Sequence, residues 1–280
     1  MTEVLIVAVI YNTYKETLRF LKSIEQQKFK DLEIVLVDNS DHAFEDNFEI
    51  QLKNYSLTIH YFKSEKNLGY FGGAAYGLKK YLKTINYPEW VIVCNVDIVY
   101  DQEEFFKKLT GKNYDSRTGV IAPSIISRKW KTDTNPKIVK RYTREQMNFY
   151  LAVVTNRFTQ NAYMTLSYFK KLVLQLKNKL KTNQQLNKHQ QPIYAPHGSC
   201  IILNQRYFKL GGNLNSISFL FGEEIFVAET LIKLNLQAVY DPGLKVSDYE
   251  HASTGFFYSK KIAGYMKQST IDIIKNYYQE

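Results

Sequence analysis

Cysteine is almost missing from this 280-residue chain: Cys94 and Cys200 stand alone, each inside an apolar run. Buried free thiols explain them better than a disulfide, and with no CxxC or Cys/His cluster a zinc site is not expected. Long apolar runs are missing as well. Nowhere do about 18 apolar residues follow one another, so no membrane-spanning helix is expected. The first run, Val4 to Ile10, is too short and too poorly flanked to read as a signal peptide, and the expected location is cytoplasmic. Neither GxGxxG nor the Gly-Lys-Ser/Thr of a Walker A loop occurs.

What is present is a hydrophobic content of 45%, enough for the core of one large α/β domain or two small ones. Net charge is +10, and it is unevenly placed. Residues 128–191 hold fourteen Lys/Arg against two Asp/Glu, a net of +12, and the rest of the chain carries −2. This stretch has no glycine and is rich in Lys, Asn, Gln and Tyr. Leu166, Phe169, Val173, Leu176 and Leu180 recur in it at helical spacing, with Lys170, Lys171, Lys177 and Lys179 on or beside the stripe. Such a stripe either docks on the main domain or lies in a membrane interface with its lysines reaching headgroups. A basic block of this kind generally marks contact with an anionic partner.

The informative pattern is a series of apolar strands that end in polar side chains. Val4 to Ile10 runs into Tyr11-Asn12-Thr13, and after a helical stretch with Leu18, Leu21 and Ile24 on one face, Leu32 to Val37 runs into Asp38-Asn39-Ser40. Strand, helix and strand within about forty residues make a βαβ unit. Thr58 to Phe62 is a third strand, and Asn67-Leu68-Gly69 with Gly72-Gly73 leads into a helix that can approach a ligand or another backbone closely. Trp90 to Cys94 then ends in Asn95-Val96-Asp97, an amide and a carboxylate that face one spot in an extended chain. An open α/β sheet binds ligands beyond the carboxyl ends of its strands, and a carboxylate there suits a hard cation holding phosphate oxygens. Each of these polar triplets also reads as an ordinary turn. Val120 to Ile126 is a further strand. After residue 191 come His197-Gly198-Ser199, the strand Cys200 to Leu203, and Glu223-Glu224 opening a helix, where two acids favour the helix dipole or serve chemistry. Lys260 to Tyr278 reads as a final helix.

Taken in order, these motifs resemble those of the family 2 glycosyltransferases, inverting enzymes of the GT-A fold that use nucleotide-diphospho-sugars. The resemblance covers about 1–127 and 192–255. It implies a mixed, mostly parallel, Rossmann-like sheet flanked by helices, with the basic stretch as a helical insert. The expected parts are 1–127 (nucleotide-sugar binding), 128–191 (insert), 192–255 (acceptor and catalysis) and 256–280 (helical tail). It also implies roles for individual residues. Asn12, Asp38, Asn67, Gly69, Asn95 and Asp97 would bind the nucleotide-sugar. Asp97, with the late His251, would hold Mg²⁺ or Mn²⁺. Glu224 would be the base, Glu223 its orienting partner, and His197, Gly198 and Ser199 would border the acceptor. Asn95 departs from the family by replacing an Asp, Glu224 stands where Asp is common, and Tyr76 stands where Asn is frequent.

The expected activity is transfer of a sugar from a UDP- or dTDP-linked donor to a glycan acceptor on a lipid carrier, in cell-surface polysaccharide synthesis. The insert would give peripheral contact with the inner membrane face, and no nucleic acid is expected. Two rivals remain: a sugar-phosphate nucleotidyltransferase, which would want a basic Gly-rich loop after the first strand, and a nucleotide- or RNA-binding protein using the insert with its aromatics.

Overall fold

Period-two alternation with apolar residues on both faces, as in Val4–Ile10, makes a strand covered on both sides, and this decides the layering. The structure is a computed structural model and describes residues 2–41, 48–82, 86–156, 158–163, 165–166, 173, 189–249 and 260–279. In chain order the elements begin β1 (Val4–Ile10), α1 (Tyr14–Glu25), β2 (Leu32–Asp38), α2 (Phe48–Leu52), β3 (Thr58–Lys63), α3 (Tyr70–Tyr81) and β4 (Trp90–Asn95). They continue with β5 (Ile98–Val99), α4 (Phe105–Thr110), β6 (Thr118–Ser127), α5 (Arg144–Thr155), β7 (Gln191–Ile193) and β8 (Cys200–Asn204). The last described elements are α6 (Gln205–Lys209), α7 (Glu223–Lys233), β9 (Gln237–Asp248) and α8 (Lys260–Tyr277).

The strands form one sheet in the order β3-β2-β1-β4-β8-β6-β9-β5, with β7 on β9. The run from β3 to β4 is parallel, β8 is antiparallel to β4 and β6, and β6 is parallel to β9. Val4, Ile6, Ala8 and Ile10 enter one core with Phe20, Leu21 and Ile24 of α1. Leu5 and Val7 enter the opposite core with Phe71, Ala74 and Leu78 of α3. Cys94 and Cys200 are cross-strand partners in the first core, buried and free.

The basic stretch is tied to this sheet from its first residues. Asp133 accepts from the Ser124 hydroxyl (2.6 Å), the Ile125 N–H (3.0 Å) and the Tyr240 hydroxyl (2.7 Å). A capping box between Thr143 and Gln146 starts α5, which buries Met147 and Val154. A third core joins Ile138 and Met147 to Ile225 and Ala228 of α7 and to Ile273 and Tyr278 at the C-terminal end. Of the Leu166–Leu180 stripe, Leu166 and Val173 are described and exposed; Phe169, Leu176 and Leu180 lie outside the described residues.

Helix α3 lies close on the sheet because it carries glycine where a side chain would collide. A Cβ on Gly77 would sit 2.4 Å from Val37 Cγ2 and 2.8 Å from Val35 Cγ1. Gly77→Val should therefore destabilise the fold by about 1–3 kcal/mol, as overpacking does. Urea unfolding should show a lower midpoint at unchanged m-value.

Candidate active site

The parallel strands stop at one level because their registers are locked. Val9 pairs with Asn95 and Ile10 with Asp38, so Tyr11, Asn39 and the Asn95–Asp97 turn stand side by side at the carboxyl edge. The order of connection reverses between β1 and β4, where an open sheet leaves a crevice. A cavity of about 370 Å³ lies there, and Tyr11, Asn39, Asn67, Gly69, Asn95 and Asp97 line its strand-edge wall. The opposite wall comes from His197, Gly198, Ser199, Glu223 and Glu224, with Lys137 beside them. Tyr265 and Lys261 of α8 and Phe219, Leu220 and Phe221 border the mouth.

Asp97 is 7% exposed, and its Oδ1 is buried without a hydrogen-bond partner among the described residues. Burial and then the nearby Asp248 carboxylate push its carboxyl up to about 7, with Arg19 opposing. An orphaned oxygen with a second carboxylate nearby, and the Asn95 amide on the same wall, are oxygen donors of the kind a hard divalent cation takes. His251 lies outside the described residues. Among the described residues no group of three or more His, Cys, Asp or Glu side chains converges.

The acid pair is delivered by a left-handed turn. Phe221 (φ 69°) and Gly222 (φ 84°) reverse the chain immediately before α7. The Ser269 hydroxyl of α8 donates to the Phe221 carbonyl at 2.7 Å, and a Cβ on Gly222 would meet Ile273 Cδ1 at 2.3 Å. Glu223 is 5% exposed, and its Oε1 has no partner among the described residues. Burial and then the neighbouring Glu224 push its carboxyl up to about 8, with Lys137 opposing. Glu224 has the reverse outcome. Burial raises it, but the Lys137 ammonium at 2.6 Å outweighs burial, His197 adds to that pull, and the carboxyl lies well below the usual range. The Gly198 N–H also donates to Glu224 Oε1, at 3.3 Å.

The His197–Ser199 loop is held from three sides. Asn135 accepts from the His197 N–H (2.9 Å) and donates to the Pro123 carbonyl (2.9 Å). The Tyr70 hydroxyl donates to the Gly198 carbonyl at 2.8 Å, and the Asn95 N–H donates to the Ser199 carbonyl at 3.0 Å. The two walls of the cleft are thereby bonded to each other.

Most expected site residues meet here; Asn12 and Asp38 do not, and His251 lies outside the described residues. Asn12 is exposed (φ 55°) and gives its N–H to Ser40 Oγ, while its side chain does not line the cavity. Asp38 is fully buried and committed: Oδ1 accepts from the Ser40 N–H, and Oδ2 from the Tyr61 hydroxyl (2.8 Å) and Lys63 (3.1 Å). Its neighbour Asn39 faces the cleft instead, and donates to the Gly69 carbonyl at 2.7 Å. Lys137, Tyr70 and Tyr265 were not found from sequence; a lone lysine among many, and tyrosines in a chain with 22 of them, carry no local signal.

The sequence matches the profile of glycosyl transferase family 2 (Glycos_transf_2) over residues 5–173. The chain belongs to this family. The match runs past residue 127 into the basic stretch, in keeping with the bonds that tie residues 133–141 to the sheet and α7. No curated protein sequence matches it. Its GT-A fold is shared with mannosyltransferase PcManGT from Pyrobaculum calidifontis, solved with GDP-Man and Mn²⁺ (TM-score 0.52, 14% identity, 91% of this chain and 58% of that one). GalNAc-T7 with UDP, GalNAc and Mn²⁺ superposes with a TM-score of 0.62 at 11% identity, over 98% of this chain and 48% of that one. S. aureus TarS 1-349 superposes at 0.53 and 13%, over 88% and 60%. The chain thus spans about half to three fifths of the length of these structures.

Because Glu223 has a higher proton affinity folded than unfolded, its contribution to stability is complete below about pH 4 and is lost as pH rises towards about 8. Glu223→Gln keeps the shape without the charge. Its melting temperature relative to the parent, measured without ligand, should rise steadily between about pH 5 and about pH 9.

Proposed function

We propose that the protein transfers a sugar, with inversion, from a UDP- or dTDP-linked donor to a hydroxyl group of a glycan acceptor. The observation that carries this is that Asn95 and Asp97 on one wall and Glu223 and Glu224 on the other line a single cavity. Single displacement at an anomeric carbon needs both: a base for the incoming hydroxyl and positive charge for the leaving diphosphate. The acceptor oxygen bonds to the anomeric carbon as Glu224 takes its proton. The bond from that carbon to the diphosphate breaks, and its electron pair leaves with the nucleoside diphosphate.

Asp97, with Asn95 and Asp248 close by, would hold Mg²⁺ or Mn²⁺, which would neutralise charge on the leaving diphosphate. Tyr11, Asn39 and Asn67 replace Asn12 and Asp38 as the wall for the nucleoside, because they line the cleft. His197, Gly198 and Ser199 border the acceptor, and Glu223 orients it. The structural relatives solved with GDP-Man and Mn²⁺ or with UDP, GalNAc and Mn²⁺ support a nucleotide-sugar and a divalent metal.

UDP and dTDP should raise the melting temperature in a Mn²⁺-dependent manner, and Asp97→Ala should abolish the shift. A ligand at a hundredfold excess over Kd adds about 2.7 kcal/mol. Glu224→Gln should keep the shift but lose ~10²–10⁴-fold in turnover. No shift with any nucleotide would refute the reading.

The outer face of the basic stretch supports an acceptor on a lipid carrier. Phe149 (68% exposed), Phe158 (80%) and Leu166 (69%) project there from a segment of net charge +12, a combination suited to an anionic bilayer surface. No helix among the described residues is long and apolar enough to cross a membrane, so contact would be peripheral. The protein should float with anionic liposomes and stay behind with zwitterionic ones. Phe149→Asp with Phe158→Asp should abolish flotation, and recovery in the soluble fraction with both liposome types would reject membrane contact.

A further inference from the structure

Two adjacent glutamates open α7, and either is a candidate for the proton acceptor. We propose that Lys137 is the positioning residue that decides between them: its ammonium, delivered from the segment after β6, aims the Glu224 carboxylate into the cleft and gives Glu224 the proton-accepting role. The inference rests on the transferase reading above.

The geometry separates the two acids. Lys137 Nζ and the Gly198 N–H both reach Glu224 on Oε1, at 2.6 and 3.3 Å. Among the described residues the hydrogen bonds to this carboxylate fall on Oε1, on a side chain that lines the cavity. A Cβ on residue 198 would lie 3.1 Å from the same Oε1, so glycine there lets the loop close on the carboxylate. Glu223 is arranged the other way. Its Oε1 is sealed from solvent with no partner and no ion pair among the described residues, which suits a protonated acid that orients the acceptor and not the base that takes its proton.

Among the described residues, the charged and titratable groups that act on Glu224 come from four places. Lys137 comes from the segment after β6, His197 from the loop before β8, Tyr142 from the approach to α5, and Glu223 from α7 itself. Tyr70 of α3 faces Glu223 from across the cleft. Among the described residues Lys137 is the cation bonded to the pair, with Lys261 of α8 elsewhere on the cavity wall; the Lys137 side chain is 43% exposed against 13% for Glu224. Two carboxylates this close cannot both ionise cheaply, and the one with the cation ionises first. Removing the ammonium leaves the pair to share a proton, with the base partly blocked near neutral pH.

The test reads the carboxyls directly, by ¹³C titration of glutamate-labelled protein assigned with Glu223→Gln and Glu224→Gln. In the parent, Glu224 should stay ionised below pH 4, roughly where a free glutamate titrates. In Lys137→Met its midpoint should rise by at least one pH unit, about tenfold in proton affinity, and Lys137→Arg should restore it. Nucleotide release from the responsive sugar-nucleotide should follow: the acid limb of kcat against pH moves up in Lys137→Met with KM for the donor unchanged, and Lys137→Arg recovers the profile. A purely structural ion pair would lower the melting temperature and leave both profiles in place, which would overturn the proposal. So would turnover that survives Glu224→Gln but not Glu223→Gln. If no donor is turned over, the transferase reading falls, while the titration still reports whether Lys137 orders the two acids.

Discussion

The structure depends on the parallel register of β2, β1 and β4. These strands are buried on both faces, so a polar side chain within them would be desolvated without partners. Polar residues therefore sit near the strand ends, Glu33 at the start of β2 and Asp38 and Asn95 where β2 and β4 stop. Because Val9 aligns with Asn95 and Ile10 with Asp38, the stops coincide. A slip of one residue would exchange the two cores along the whole strand, which is why packing specifies the register so strongly. The site is where that register ends.

The second wall is built by a different device. Glu223 and Glu224 follow a left-handed turn that would be strained alone, and α8 clamps it through Ser269 and Ile273. Asn135 and Asp133 fasten the segment after β6 to the sheet, which carries Lys137 to the acids. The walls are then joined by Tyr70 to Gly198 and by Asn95 to Ser199. Carboxylates gathered in such a place cost stability when ionised, as the upward displacement of Asp97 and Glu223 shows. The Lys137 ammonium relieves that cost at Glu224, and a cation held beside Asp97 would relieve it on the other side of the cleft.

Much of this was legible from residue order. Apolar alternation gave the strands, and the Thr58 and Val120 stretches were found as strands whose ends differ from the reading by one or two residues. The helices at Tyr14, Tyr70, Glu223 and Lys260 were legible too, as was the gathering of polar residues at one sheet edge. Residue order does not separate Asp38 from Asn39, and alternation along the strand end turns Asp38 towards Tyr61 while Asn39 lines the cleft.

The sequence by itself determined the class of fold, the order of the elements and the edge at which polar side chains gather, because these follow from periodicities of two and 3.6 and from where polar residues interrupt them. Only the tertiary structure decided which side chains meet. Lys137 and Glu224 lie 87 residues apart, and nothing local in either stretch names the other. Their pairing arises from β6, the Asn135 clamp and the turn before α7 acting together. Proton affinity belongs to that assembled environment of burial and neighbouring charge, so the identical neighbours Glu223 and Glu224 acquire opposite properties only once the chain has folded.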